Sequence, residues 1–298
     1  MKNFMLLFAL IIGVNFQSSI AQDSSMTNSP SDAIEEEWDL VRFRFQNFNK
    51  PRIDINYGFT SVSYDKDFVA SEFHDNNAIE IKLGFDKIQK YRFTDNIYRF
   101  NYSYIGIANN QQFSTKYDET NNQELRIETW RISLGNLEGF GYDLGSNIKL
   151  GFGEGNTMVW TQNNFIDKSQ NQSDNHWFDY VGDSFRFGAQ TESNINLKIG
   201  DYVGLNAAYE RTAVFPRHMF WYWAGSEITR GIGSGLIGWF VREVGKSTPE
   251  AVPVVNFLLK NGLNYGFYEL RKKNMNWPFD TEPALMFDTF KIGVSASF

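Results

Sequence analysis

The chain has 298 residues, no cysteine, 28 basic and 35 acidic side chains, and a formal net charge of −7. The absence of cysteine excludes a disulfide scaffold, a thiolate metal site, a thiol nucleophile and a lipid anchor on an N-terminal cysteine. The acidic charge is spread along the chain and argues against a nucleic-acid partner. A mean hydropathy of −0.40 excludes a bundle of membrane helices, yet aromatic residues make up 17% of the chain. That combination is typical of a barrel in lipid, where only alternate residues face the lipid.

The first 21 residues are predicted to be a secretory signal peptide. Lys2 supplies a positive charge, residues 4–16 carry none, and Ser19 and Ala21 are the small residues of a cleavage site. Residues 22–37 then form a polar, acidic leader for which we expect no packed structure. The mature protein is therefore expected outside the cytoplasm.

Eight runs alternate apolar and polar residues with a period of two, which predicts half-buried strands. In the first run, for example, Ile53 and Ile55 flank Asp54. Each run can cross a hydrocarbon layer when tilted, because about 9–11 residues suffice. The runs are residues 52–64, 78–88, 96–108, 123–134, 146–160, 184–199, 202–213 and 290–298.

Two runs give specific expectations about which side chains face outward. Residues 96–108 are predicted to turn four aromatic side chains toward the lipid and Arg99 inward. These aromatic residues are Tyr98, Phe100, Tyr102 and Tyr104. In residues 123–134 the apolar parity changes part of the way along, which predicts a bulge near residues 128–129.

Long and short connections alternate along the chain. The long connections are residues 65–77, 109–122, 161–183 and 214–284, and the short ones are 89–95, 135–145 and 200–201. Outer-membrane barrels have long loops outside and short turns in the periplasm, whereas a soluble sandwich has no reason to sort its loops. We therefore predict an all-β, antiparallel up-and-down transmembrane barrel of eight strands within residues 38–298. Residues 38–47 also alternate, and ten strands, with one near residues 218–223, is the alternative.

The signal peptide, the alternating strands and the terminal sequence KIGVSASF of residues 291–298 resemble those of bacterial outer-membrane β-barrel proteins. Gln22 after the cleavage site and the Asn-, Phe-, Tyr- and Lys-rich composition resemble exported proteins of the Bacteroidota. The resemblance implies location in the cell outer membrane, contact with outer-membrane lipid, and recognition of Phe298 by the barrel-assembly machinery. It points to no functional family, because the active-site patterns of the outer-membrane phospholipase, palmitoyltransferase and omptin-type protease families are not found.

The interior of an eight-stranded barrel is just filled by side chains or holds one small ligand. Charged residues of both signs fall on the predicted inward faces, and we expect them to pair across the lumen and plug it. The alternative is a polar permeation path or a proton relay. The predicted lumen network consists of Glu80, Lys82, Arg99, Arg126, Glu128, Lys149, Arg186, Glu192, Glu210 and Lys291.

Residues 214–284 are too long for a structureless loop and show helical periodicity. Two helices are predicted, at about residues 226–244 and 249–273, forming an apolar hairpin on the extracellular side. Neither has a charge-free run near the roughly 20 residues that a span needs. The hairpin is expected either to cap the barrel mouth or to contact a partner protein or lipid. The contact residues would be Trp221, Trp223, Ile232, Leu236, Trp239, Phe240 and Leu259.

No catalytic, metal or cofactor site is predicted. The three histidines, His74, His176 and His218, fall in predicted outer loops, and no HExxH, CxxC or GxSxG motif is present. The leading hypothesis is a structural or accessory subunit of an envelope complex that binds its partner through residues 214–284 and the long loops. The alternatives are a narrow transporter or ligand-binding barrel, and a lipid-modifying enzyme that uses His218 with Ser226 or Glu227.

Overall fold

The computed structural model describes residues 50–65, 67–112, 124–166, 172–182 and 184–298. The predicted signal peptide, the acidic leader and the strand-like run at residues 38–47 lie outside the described residues. The described strands are β1 (Lys50–Ser63), β2 (Glu72–Phe73), β3 (Asn76–Lys90), β4 (Ile97–Gln111), β5 (Glu124–Leu125), β6 (Ile127–Asp143), β7 (Ile148–Phe165), β8 (Phe185–Ile199), β9 (Val203–Val214) and β10 (Leu285–Ser297). The described α-helices are α1 (Gln172–Val181), α2 (Phe220–Ser247) and α3 (Val252–Arg271), with a 3-10 turn at Pro249–Ala251 before α3.

Eight of these strands form a closed antiparallel barrel in the order β1-β10-β9-β8-β7-β6-β4-β3. Closure is made by β1, in which Ile55 lies opposite Ile81 of β3 on one side and Val294 of β10 on the other. The predicted eight-stranded barrel is confirmed. The ten-stranded alternative is wrong at residues 218–223, since α2 begins within that segment.

All short turns lie at one end of the barrel, together with the beginning of β1 and the end of β10; we call this the short-turn end and the opposite one the long-loop end. Gly145, Ser146 and Asn147 of the β6–β7 turn and Gly200 of the β8–β9 turn have positive φ, as tight turns often require. One boundary differs from the prediction. Strand β6 continues to Asp143, so the connection predicted at residues 135–145 shrinks to residues 144–147.

The outer wall is apolar and the interior is polar along most strands. In β1, Ile55 is 52% exposed, whereas Asp54 and Asn56 are buried inside the barrel. Since successive strand residues point to opposite faces, one alternating sequence supplies both surfaces.

Strand β4 corrects two predictions. Ile105 and Ile107 point outward, and a continuous strand keeps one parity, so Arg99 also points outward. The four aromatic side chains of β4 occupy the alternate positions and therefore point into the lumen instead of facing lipid: Tyr98, Phe100, Tyr102 and Tyr104. They fit because β6 and β7 present glycines to them; a Cβ on Gly153 would lie 2.9 Å from the Phe100 ring.

The bulge predicted near residues 128–129 is wrong. The pairing of β4 with β6 continues without interruption from Asn110 opposite Thr129 to Ile97 opposite Tyr142. Ile127 is instead buried inside the barrel, where it packs with other apolar residues near the long-loop end. The inward-facing residue Ile127 is apolar because the lumen is apolar at the long-loop end. The strand itself is regular.

The helical hairpin, α2 and α3, comes before the last strand as predicted, but it lies along the outer wall and does not cap the mouth. Helix α3 packs on β6, β7, β8 and β9. At the long-loop end Trp223 of α2 meets Phe187, with ring centroids 5.1 Å apart. At the short-turn end the Tyr142 hydroxyl donates to the Glu250 carbonyl at 2.6 Å. Among the described helices, none combines the length and apolar character needed to cross a membrane.

Candidate functional site

The centre of the lumen is organised around Lys291. Its ammonium group lies 2.5 Å from Glu80 and 3.1 Å from Glu192, and it also pairs with Glu210. Lys82 lies 2.5 Å from Glu192. All five side chains are almost completely buried. Such closely spaced, alternating charges hold one another in place and leave none unpaired.

A second group of ion pairs lies nearer the short-turn end. Arg52 contacts Asp54 at 2.7 Å and Asp86 at 4.0 Å, and Lys198 lies 3.4 Å from Asp86. The Arg52 guanidinium also stacks 4.4 Å from the Tyr102 ring centroid. The inward aromatic residues of β4 thus pack directly against the charged groups.

Together with Arg131, which lies 2.5 Å from Glu210, the two groups form a charge-matched lumen network among the described residues. Its cations are Arg52, Lys82, Arg131, Lys198 and Lys291, and its carboxylates are Asp54, Glu80, Asp86, Glu192 and Glu210. Five positive and five negative groups cancel, so the network carries no net charge.

The structure brings half of the predicted lumen network together. The residues that join are Glu80, Lys82, Glu192, Glu210 and Lys291. The other five lie elsewhere. Arg99 points outward and lies 3.4 Å from Glu138, and Glu128 also has the outward parity of β6. Arg126 lies in the β5–β6 connection.

The two remaining predicted residues lie at the ends of the barrel. Lys149 lies at the short-turn end, 4.0 Å from Asp143. Arg186 lies at the long-loop end and donates to the carbonyl of Pro216 at 2.9 Å. Both are held by neighbours at the rim and are separate from the central network.

Five network residues were missing from the sequence-based set: Arg52, Asp54, Asp86, Arg131 and Lys198. Four of them occupy the polar parity of correctly predicted runs, so alternation alone could have identified them. Arg131 also has the polar parity, since it alternates with the apolar Trp130, Ile132 and Leu134 of its run, and the same signal could have identified it.

The mouth of the lumen at the long-loop end is closed by α1 and neighbouring loops. Capping of this mouth was one of the roles that the sequence predicted for the hairpin. Phe178 of α1 stacks on Phe165 with centroids 4.5 Å apart, and Trp177 lies 4.2 Å from Tyr64. The Ser71 hydroxyl donates to Asp174 at 2.6 Å. Burial raises the pKa of Tyr64 above its ordinary value, so its hydroxyl stays neutral. We call this group of residues the cap.

The middle of the contact between hairpin and barrel wall is polar. Glu154 of β7 accepts a hydrogen bond from Asn264 at 3.0 Å and lies 3.5 Å from Lys260. Arg230 of α2 donates to Asn156 at 2.7 Å. Glu154 and Asn156 sit midway along β7; Glu154, Lys260 and Asn264 are buried between wall and helices, and Asn156 and Arg230 are half-buried.

The residues suggested for a lipid hydrolase have other contacts. Arg271 donates to Ser226 at 3.1 Å and to Glu227 at 2.5 Å. The His218 ring packs against Phe187 with centroids 4.9 Å apart, and partial burial lowers the pKa of His218.

Of the other two histidines, His176 is exposed and His74 is half-buried. His74 contacts the Asp75 carbonyl at 2.6 Å, and His176 lies on α1. Within the described part of the chain, no group of three or more metal-binding side chains is placed to hold an ion.

The predicted partner or lipid contacts divide into two groups. Exposed on the hairpin surface are Trp221, Ile232, Leu236, Phe240 and Leu259. Trp223 packs against Phe187 and Trp239 is half-buried, so these two are less available.

Comparison with known proteins finds no matching family model and no matching curated relative. Solved structures with a similar shape include Neisserial surface protein A, at 9% identity and a TM-score of 0.39, covering 83% of this chain and 97% of that one. Ail, the attachment invasion locus protein of Yersinia pestis, gives 8% identity and a TM-score of 0.30, with 85% and 100% covered. The outer membrane protein OprG from Pseudomonas aeruginosa gives 9% and 0.30, with 85% and 98% covered.

Proposed function

We propose that this protein resides in the outer membrane as a closed, non-conducting barrel and serves as a structural or accessory subunit of an envelope complex. Its membrane location is supported by a sheet without open edges and by the apolar outer wall. Phe59, Ile107 and Ile292 are each more than half exposed, which is costly in water and favourable in lipid.

The observation that carries the non-conducting role is the lumen network. Ions cannot pass without breaking buried pairs such as Lys82 with Glu192 and Lys291 with Glu80. The cap closes the lumen a second time at the long-loop end. These two closures favour a structural role over the alternative of a narrow transporter.

The surface best suited to a partner is an exposed aromatic group at the start of the hairpin, at the long-loop end. Trp221 is 82% exposed and lies 5.1 Å from Phe220, and Tyr222 lies 5.2 Å from Phe279. Aromatic residues are enriched in protein interfaces and supply much of their binding energy. We propose that an envelope protein binds here.

Planar-bilayer recording of the purified mature protein tests the first part of the proposal. We expect no conductance steps, because the paired lumen admits no hydrated ion. Reproducible steps from monodisperse protein would contradict it and would favour the transporter hypothesis.

Affinity purification of the tagged protein from its own outer membrane tests the second part. We expect a stoichiometric partner that is lost in Trp221→Ala and retained in Tyr202→Ala, which removes an exposed aromatic residue from the short-turn end. Purification of the barrel alone, or equal partner recovery from both variants, would contradict the proposed surface.

A further inference from the structure

The outer wall is polar beneath the hairpin. Glu154 and Ser193 have the outward parity of their strands, yet Glu154 is 2% exposed and Ser193 is hydrogen-bonded to Asn261 of α3 at 2.5 Å. Arg211 of β9 also points outward and stacks 5.2 Å from the Tyr265 ring of α3. These polar groups belong to the wall and are covered by the helices.

The hairpin has the reverse of the usual amphipathic arrangement. Its buried face includes six polar residues, Ser226, Ser234, Asn256, Lys260, Asn264 and Arg271, beside four apolar or aromatic ones, Val241, Val252, Phe267 and Tyr268. Its exposed residues are largely apolar and include Ile228, Ile232, Leu236 and Phe240 of α2, and Val254, Leu258 and Leu259 of α3. The four on α2 recur every four residues and therefore form one continuous row. A hairpin that packed against its barrel in water would bury this row.

The first helix of the hairpin is also long enough to match the thickness of a membrane. Helix α2 has 28 residues, which at 1.5 Å each gives about 42 Å, more than the roughly 30 Å of a hydrocarbon core. Its polar contacts, Arg230 with Asn156 and Lys260 with Glu154, fall midway along β7. If the wall lies in lipid, the hairpin lies in the same layer.

We propose that the hairpin lies in the lipid layer beside the barrel, with its polar face on the wall and its apolar row against lipid acyl chains. The inference rests on the membrane location proposed above. We assign acyl chains to this surface because the apolar row continues the apolar surface of the neighbouring strands β4 and β10, where Ile105 and Ile292 are exposed. Hairpin and barrel then present one uninterrupted apolar surface.

The cysteine-free chain allows a direct test with single-cysteine variants carrying a nitroxide label. The purified mature protein is reconstituted in phosphatidylcholine vesicles without any other protein. Ile232→Cys and Leu259→Cys report the hairpin, Ile292→Cys reports the barrel wall, and Lys273→Cys is the water-exposed control. Since each replaced side chain is exposed, folding should be retained, which the thermal transition verifies.

We expect both hairpin labels to match Ile292→Cys, colliding readily with oxygen and losing collisions with a water-soluble nickel complex. The Lys273→Cys label should collide with nickel freely. Nickel access at the hairpin alone would overturn this inference and leave the barrel in the membrane. Nickel access at Ile292→Cys as well would overturn the proposed membrane location itself. Protection of the hairpin labels from both reagents would indicate a second protein copy on this face and would also overturn the inference.

Discussion

Lys291 shows how a charged side chain is kept inside the barrel. It contacts three carboxylates, and two of them, Glu80 and Glu192, also contact Lys82. Burial of any one of these charges alone would be costly, since removing an ion from water carries a penalty of several kcal/mol. The mutual attraction of the groups offsets that penalty only while all of them are present.

Replacement of Lys291 by Met should therefore be severely destabilising. It leaves three buried carboxylates with one cation fewer, and the loss of one partner of a buried pair costs about 3–5 kcal/mol. Thermal unfolding in detergent, followed by circular dichroism, measures the effect. The control is Lys90→Met, because Lys90 pairs with Asp95 in solvent at 3.3 Å and should contribute almost nothing. Equal stability of the two variants would show that the network does not hold the lumen together.

At the scale of elements, the hairpin and the wall depend on each other. If the wall lies in lipid as proposed, a wall without the hairpin would expose the Glu154 carboxylate and the Arg211 guanidinium to acyl chains, where a basic side chain at mid-depth costs about 2–4 kcal/mol and an acidic one less. The hairpin alone would expose Lys260 and Arg230. Packing pairs Glu154 with Lys260 and Arg230 with Asn156, so the middle of the contact is held by polar interactions, while the apolar row of α2 remains outside.

A double-mutant cycle on Glu154 and Lys260 tests this dependence. Glu154→Leu and Lys260→Met should each destabilise the protein, because each leaves a buried charge without its partner. The double variant should lose less than the sum, with a coupling of about 1–3 kcal/mol measured by thermal unfolding. Additive effects would mean that the two charges act independently.

The control cycle uses Glu243 and Lys246, which pair at 2.7 Å near the end of α2 and are more than one third exposed. Exposed helical pairs of this kind contribute only about 0.3–0.5 kcal/mol. Their coupling should therefore be clearly smaller than that of Glu154 and Lys260.

At the scale of the whole molecule, closure joins the first described strand to the last. Phe298 follows β10 at this seam, where its amide donates to the Pro51 carbonyl at 2.9 Å and its side chain is 65% exposed. The ring therefore packs little in the folded barrel. Its proposed role as the assembly signal, suggested by the resemblance to outer-membrane barrels, concerns insertion more than stability.

Phe298→Ala separates these two roles. The variant keeps the backbone hydrogen bond, so we expect its thermal unfolding after refolding in detergent to match that of the original protein. In cells we expect a clear loss of protein from the outer-membrane fraction, measured by immunoblot of fractionated envelopes. A variant that refolds poorly in detergent would argue for a structural role, and normal membrane levels would argue against an assembly signal.

Local alternation was sufficient to predict the strands. All eight barrel strands overlap the predicted runs, and Glu80, Lys82, Glu192, Glu210 and Lys291 lie in the lumen network. The period of two is a property of neighbouring residues, and it is strong wherever one face meets lipid and the other a polar interior. The sorting of long and short connections follows from the same local pattern.

The predictions were wrong for side chains whose neighbours in the fold are distant in the sequence. Arg99 was predicted to face the lumen because it alternates with aromatic residues expected to face lipid, but it lies outside beside Glu138, at the short-turn end near α2 and α3. Ile105 and Ile107 have the same parity as Arg99, and their apolar side chains could have indicated that Arg99 faces outward. The aromatic residues of β4 could not be assigned to the lumen without knowing that glycines of β6 and β7 stand opposite them.

Alternation along the chain was enough to predict an antiparallel barrel with polar inward residues, because it is a local property that every strand repeats. The pairing of charges in the lumen, the closure of the mouth by α1 and the place of the hairpin on the outer wall became evident only in the folded molecule. Those outcomes depend on pairings between residues far apart in the chain, such as Glu154 with Lys260 and Lys291 with Glu80. An amphipathic helix specifies two unlike faces, and only the surroundings determine which of them is buried.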